Sequence, residues 1–181
     1  AVAAMFQGLG VPVFDADKAV HELQGPRGAL LEPIERAFPG TTGPLGVDRQ
    51  KLGAAVFGDP AALQRLEALV HPEVAEMRRA FLADNADVPL IVFDIPLLFE
   101  KTGRHGLDAV LVVSASPEAQ RARVLARPGM TDEKFARILA LQVPDAEKRA
   151  QADYVIDTGT SLAETRHAVQ HLVHAIGAAR K

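Results

Sequence analysis

Two carboxylates, Asp15 and Asp17, end the apolar run "VPVFDAD" at residues 11–17. Like charges one residue apart repel if buried together, so such a pair is either solvated or set to hold something. An acid at the rim of a sheet could accept a substrate proton or hold a metal ion. If the strand continues, alternation puts both side chains on one side and Ala16 on the other. The plainer alternative is that Asp17 caps the helical run "KAVHEL" while Asp15 only ends the strand. A second candidate is His71, whose successor Pro72 disfavours helix before it and so predicts a corner. A histidine at a corner serves as a cap or as a ligand. The third candidate is a set of cations. Arg123 and Arg127 stand four residues apart, which predicts one helix face, and Arg137 and Lys148 come later, beyond "PGMTDE" and "QVPDAE". Two such helices joined by a glycine-containing loop could fold over a polyphosphate. Guanidinium forks match phosphate oxygens and stabilise a transferring phosphoryl group. The same spacing also fits a solvated face with Glu118 and Glu133 as partners.

Strand-like runs are expected to position these groups. "VPVFDAD", "PLIVFDIPLLF" (89–99), "LDAVLVVSAS" (107–116) and "ADYVIDTG" (152–159) recur with helical runs between them. The middle two are nearly continuous aliphatic runs, which predicts parallel strands covered on both faces. Ligands of such sheets gather at the carboxyl ends of the strands. Helix starts are marked by Asp59 with Pro60, by Ser116 with Pro117, and by Thr131 with two acids in the first turn. The opening "AVAAMFQGLG" predicts a helix already under way that closes at Gly8 or Gly10. The last helix is expected from about residue 162 to 179, with basic residues closing the chain. Residues 18–88 contain too much for a simple crossover and predict a helical insertion over the strand ends.

Composition narrows the class. The chain has 181 residues, 48% hydrophobic and 24% charged, the balance of one globular domain. A net charge of −3 gives no sign of a polyanion binder. With no cysteine, disulfides, zinc–thiolate sites and thiol nucleophiles are excluded. No apolar run approaches a membrane span, and no basic region precedes the first apolar residues as in a signal peptide. The expectation is a cytoplasmic protein with small-molecule partners and with neither nucleic acid nor membrane. An oligomer is compatible with these residues.

The sequence of "DADKAVHE" (15–22), "DR" (48–49), "LEALVHPEV" (66–74), "DIPLLFE" (94–100), "VLVV" and "ADYVID" resembles the dephospho-CoA kinase family, from residue 1 to about 160. The resemblance implies an α/β, P-loop NTPase-like three-layer fold, read as one kinase domain over 1–181. Residues 18–88 would then be the acceptor-binding insertion and about 117–150 a small lid. It also implies transfer of the ATP γ-phosphate, with Mg2+, to the 3′-hydroxyl of the dephospho-CoA ribose, the last step of coenzyme A synthesis. On the same ground Asp17 and Arg123 are implied as catalytic, and Asp15, Arg49, His71 and Phe99 as acceptor-binding. Arg127, Arg137, Gln142 and Lys148 match ATP or lid positions, and no residue is assigned as a metal ligand. Thr158 stands where the family often has Asn.

One departure is large. The family opens on a strand and a glycine-rich "GxxGSGKS/T" loop that cradles phosphates, and no such motif occurs in this chain. The opening helix resembles the family's segment just downstream of that loop. The expectation is that the central strand and loop are missing from the sheet, and that these residues alone do not turn over ATP. Three rival readings differ in class. A haloacid-dehalogenase-type phosphatase also begins on an apolar strand ending in DxD, but Ala19 stands where those enzymes carry Thr or Val. A CoA-binding module without a P-loop and a P-loop kinase for another acceptor are the others.

Overall fold

The structure, a computed structural model, describes residues 1–101 and 103–179. The closing basic residues, Arg180 and Lys181, lie outside the described residues. In chain order the elements are α1 (Val2–Gly8), β1 (Val13–Asp15), α2 (Ala16–Leu23), α3 (Leu31–Ala37), β2 (Thr42–Gly43), β3 (Gly46–Val47), α4 (Arg49–Val56) and α5 (Pro60–Asp84). After them come β4 (Val92–Asp94), α6 (Leu98–Lys101), β5 (Leu111–Ser114), α7 (Pro117–Leu125), α8 (Asp132–Ala140), α9 (Asp145–Gln151), β6 (Tyr154–Asp157) and α10 (Leu162–Ala179). The class is α/β, as expected, and the chain divides into two compact units. One is Pro12–Asp94; the other is Ala1–Val11 with Ile95–Lys181.

In the Pro12–Asp94 unit, β1 and β4 pair in parallel. Phe14, Phe93 and Phe81 lock this pair to α5, with ring centroids 5.5 to 5.8 Å apart. A separate apolar cluster joins the helices through Leu23, Leu30, Ile34, Phe38, Leu52 and Ala62. Leu30 and Ile34 are fully buried, and burying each such side chain contributes about 1.5–3 kcal/mol. The β2–β3 hairpin seals the end of α2, because the Val47 N–H donates to the Gln24 carbonyl at 2.8 Å. Glu35 clamps the same hairpin by accepting from the Gly40 and Thr42 N–H groups and from the Thr42 hydroxyl. Those bonds, the Thr42 hydroxyl first, hold the Glu35 carboxyl below its ordinary range.

Two glycines make this end of α2 possible. A Cβ on Gly28 would stand 2.0 Å from the Leu23 carbonyl oxygen. Gly46 has φ +105°, and a Cβ there would stand 2.4 Å from the Gln24 oxygen. Neither position has room for a side chain.

The corner predicted at His71 is absent. α5 runs unbroken from Pro60 to Asp84 with Pro72 inside it. Proline inside a helix removes one hydrogen bond. Here Pro72 and Ala68, whose carbonyl loses its partner, are both exposed, so water can serve that oxygen. Leu66, Leu69, Val70, Val74 and Met77 pack onto the cluster on either side of the proline, and that burial carries the helix through.

In the other unit, β5 and β6 pair in parallel, with α9 against β5, α10 against β6, and α1 against α10. Full cover of the aliphatic strand β5 is not found. Val112 and Ser114 are buried, but Val113 between them is 47% exposed. The run alternates because only one face of this two-stranded pair is packed among the described residues. The caps at Asp59, Ser116 and Thr131 accept from backbone N–H groups as their sequences predict.

Candidate active site

The acidic pair is split between two kinds of backbone. β1 ends at Asp15, whose Oδ1 accepts the Lys18 N–H at 2.9 Å and so caps α2. The plainer sequence alternative gave that cap to Asp17, and the structure gives it to Asp15. Asp17 instead lies in the first turn of α2, where the helix dipole favours a negative charge. It is therefore not on an extended strand, and the two carboxylates are not arranged by strand alternation. Freed from capping, Asp17 lines a cleft of about 420 Å³.

Arg49 and Gln24 share the polar side of that cleft with Asp17, and Val20, Leu52, Val56 and Leu66 form its apolar wall. Arg49 is the first residue of α4, placed by Asp48, which accepts from the Gln50 and Lys51 N–H groups at 3.1 Å. Arg49 also meets the Nδ1 of His21 through its Nη2. A guanidinium can only donate, so the ring nitrogen is the acceptor in this contact. His21 was not singled out from sequence. Its signal was there, one helical turn after Asp17.

A second missed residue is Asp94. It closes β4 directly opposite Asp15 in the parallel register, so two strands deliver carboxylates to one edge. Desolvation, then the charges of Asp15 and Asp17, push the Asp94 carboxyl above its ordinary range. The sequence signal was a repeat, since both strands read "VFD".

Of the other acceptor candidates, only His71 shares a unit with this cleft. His71 is exposed on α5 and is not among its lining residues. Phe99 is half-buried on α6, in the other unit.

The cations all belong to that other unit. Arg123 on α7 donates to the Thr158 hydroxyl through Nη1 at 3.1 Å and to the Thr158 carbonyl through Nη2. Thr158 also donates its hydroxyl to the Ser114 carbonyl at 2.9 Å. Arg123 is thus fastened over the carboxyl ends of β5 and β6. Arg127 does not share its helix face, because α7 stops at Leu125 and Arg127 lies in the next turn. Arg137 is exposed on α8, and Gln142 comes just after that helix. The ion pair exchanged between α7 and α8 is Arg121 with Asp132, in place of the expected Glu118 and Glu133.

Lys148 on α9 is paired with Glu100, Nζ to Oε1, at 2.6 Å. The same oxygen accepts the Val143 N–H at 3.0 Å. Burial pushes the Glu100 carboxyl up, but these two donors outweigh it and hold the group below its ordinary range. Among the described residues no helix is long and apolar enough to cross a membrane.

Comparison with known proteins gives one answer. The family model for dephospho-CoA kinase matches residues 1–164. A dephospho-CoA kinase from Novosphingobium aromaticivorans is 70% identical over 176 residues, covering 97% of this chain and 88% of that protein. One from Mesorhizobium japonicum is 54% identical over 173 residues, covering 94% and 87%. Among solved structures, TT1252 from Thermus thermophilus aligns with a TM-score of 0.80 at 36% identity, over 96% of this chain and 88% of that one. The dephospho-CoA kinase from Campylobacter jejuni has the same fold, with a TM-score of 0.70 at 24% identity over 99% and 92%.

Proposed function

This chain belongs to the dephospho-CoA kinase family, and from that premise we propose how its residues divide the work of the reaction. The enzyme transfers the γ-phosphate of ATP to the 3′-hydroxyl of the dephospho-CoA ribose, giving CoA and ADP, the final step of coenzyme A biosynthesis. The observation that carries the assignment is that Asp17 and Arg49, on different helices, line one cleft with an apolar wall. That wall suits the organic body of an acceptor, and the Arg49 guanidinium suits its phosphates. Asp17 orients the ribose hydroxyl and takes its proton as the oxygen attacks the γ-phosphorus. The bond to ADP breaks, and ADP leaves with the electron pair.

Asp15 supports this arrangement by fixing the start of α2, and the Asp94 carboxyl feels the charge of Asp17. Residues 18–88 form the acceptor-binding insertion, and His71 and Phe99 are further acceptor-binding residues. Residues from about 117 to 150 act as a lid whose cations, Arg123, Arg127, Arg137 and Lys148, neutralise the phosphates of ATP, with Gln142 as a polar contact. The Arg123 bonds to Thr158 support a fixed, oriented guanidinium. Mg2+ enters as the companion of ATP. Among the described residues no group of three or more His, Asp or Glu side chains is arranged to hold a metal ion. A cytoplasmic location belongs to the same reading.

The test is a coupled ADP-release assay on the full-length protein with dephospho-CoA, AMP and shikimate as competing acceptors. Turnover is expected with dephospho-CoA alone. Preference for another acceptor would overturn the assignment, and phosphate release without ATP would point to a phosphatase.

A further inference from the structure

We infer that Glu100 is a positioning residue for phosphoryl transfer, holding Lys148 in the pose from which its ammonium serves the phosphates of ATP. The inference rests on the kinase reading above and assigns a role to a residue outside its set of site groups.

The observation is a largely buried ion pair, with one carboxylate oxygen fully buried, among exposed ones. Arg121 and Asp132 have side chains 56% and 68% exposed, whereas Lys148 and Glu100 are 21% and 11% exposed. An exposed pair contributes little, but a buried one is stable only with close geometry and further hydrogen bonds. Glu100 has both on one oxygen, since Oε1 takes the Lys148 ammonium and the Val143 N–H together. Its other oxygen, Oε2, is buried with no hydrogen-bond partner among the described residues. The carboxylate therefore grips Lys148 end-on. An ammonium has three donors, and this grip occupies one of them.

Other contacts fix the same segment. The Ser114 hydroxyl donates to Asp145 at 2.7 Å, tying the start of α9 to the end of β5. Residues 143, 145 and 148 are thus each fastened, and the segment from Arg137 through Gln142 leads into this anchor. On the Glu100 side, the turn into α6 runs through Leu97 at φ +58°. A non-glycine residue persists in that region only where its surroundings over-determine it. A lysine meant only to neutralise Glu100 would not need its carboxylate shared with the backbone at Val143. A lysine that must present its remaining donors in a fixed direction does.

The experiment compares Glu100→Gln, Lys148→Met and the double variant in the full-length enzyme, by steady-state kinetics for both substrates and by melting temperature. Each single change is expected to raise KM for ATP about tenfold. The double variant should be no worse than Lys148→Met, because the two act as a unit. KM for dephospho-CoA should stay within about twofold of the parent. A folded Glu100→Gln enzyme with parental KM for ATP overturns the inference, and so do single effects that multiply in the double variant. A lowered melting temperature with unchanged KM would mean a merely structural pair and overturns it equally. If Glu100→Gln does not fold, Lys148→Met decides alone, a parental KM for ATP again being the contrary result. The parent's own turnover of dephospho-CoA, read in the same assay, tests the kinase reading separately.

Discussion

Asp15 and Asp94 occupy the same rung of the parallel ladder between β1 and β4, each as the last residue of its strand. Asp15 turns its carboxylate to the N-terminus of α2, where it accepts the Lys18 N–H. Asp94 feels desolvation and the charges of both Asp15 and Asp17, all of which raise its pKa. One strand edge thus carries a helix-capping acid, a second acid on the adjoining helix, and a third acid whose pKa is raised.

Asp94 should make folding stability depend on pH. Its folded pKa lies above the unfolded value, so the native state binds the proton more tightly. The associated stability is present below the unfolded pKa of about 4 and is lost as pH rises through the raised folded pKa. Replacing Asp94 by Asn removes that loss. Melting curves of Asp94→Asn and the parent should converge near pH 4 and separate in favour of the variant toward neutrality. Curves a constant distance apart would contradict the assigned cause.

Arg49 should report on the acceptor alone. Hydrogen bonds to charged groups contribute about 1.5–3 kcal/mol, so Arg49→Ala should raise KM for dephospho-CoA roughly 10- to 100-fold. KM for ATP should hardly change. Steady-state kinetics with each substrate varied in turn makes the comparison, and equal effects on both constants would remove Arg49 from the acceptor cleft.

Gly28 tests the packing beneath that cleft. A methyl group there would overlap the Leu23 carbonyl, and backbone has to move to relieve it. Gly28→Ala is expected to cost roughly 2–4 kcal/mol in a denaturant titration. A Gly53→Ala control has open space around the new carbon and should cost nothing comparable.

The features legible in the sequence were mostly local. Asp59 before Pro60, Ser116 before Pro117 and Thr131 before two acids each announce a helix by short-range chemistry, and each cap is present. The strands ending at Asp15, Asp94, Ser114 and Asp157 were readable from their aliphatic runs. Errors arose where a distant contact decides the outcome. Pro72 reads as a corner, yet the cluster around Leu69, Val70 and Val74 carries α5 through it. The plainer alternative makes Asp17 a cap because nothing local reveals that β1 stops two residues earlier. Arg127 reads as a partner of Arg123 by spacing, yet Pro128 directly after it disfavours helix there and α7 ends at Leu125. Asp94 and the Glu100–Lys148 pair depend on strand register and on contacts across long stretches of chain. No spacing rule states those.

If Asp17 handles the acceptor hydroxyl, Asp17→Asn in the full-length enzyme is the decisive variant. A positioned acid–base group contributes on the order of 100- to 10,000-fold, so kcat should fall by that range while ATP affinity, measured by direct binding, stays at the parental value. An Asp17→Asn enzyme that turns over dephospho-CoA at near-parental kcat would show that Asp17 does not carry this step.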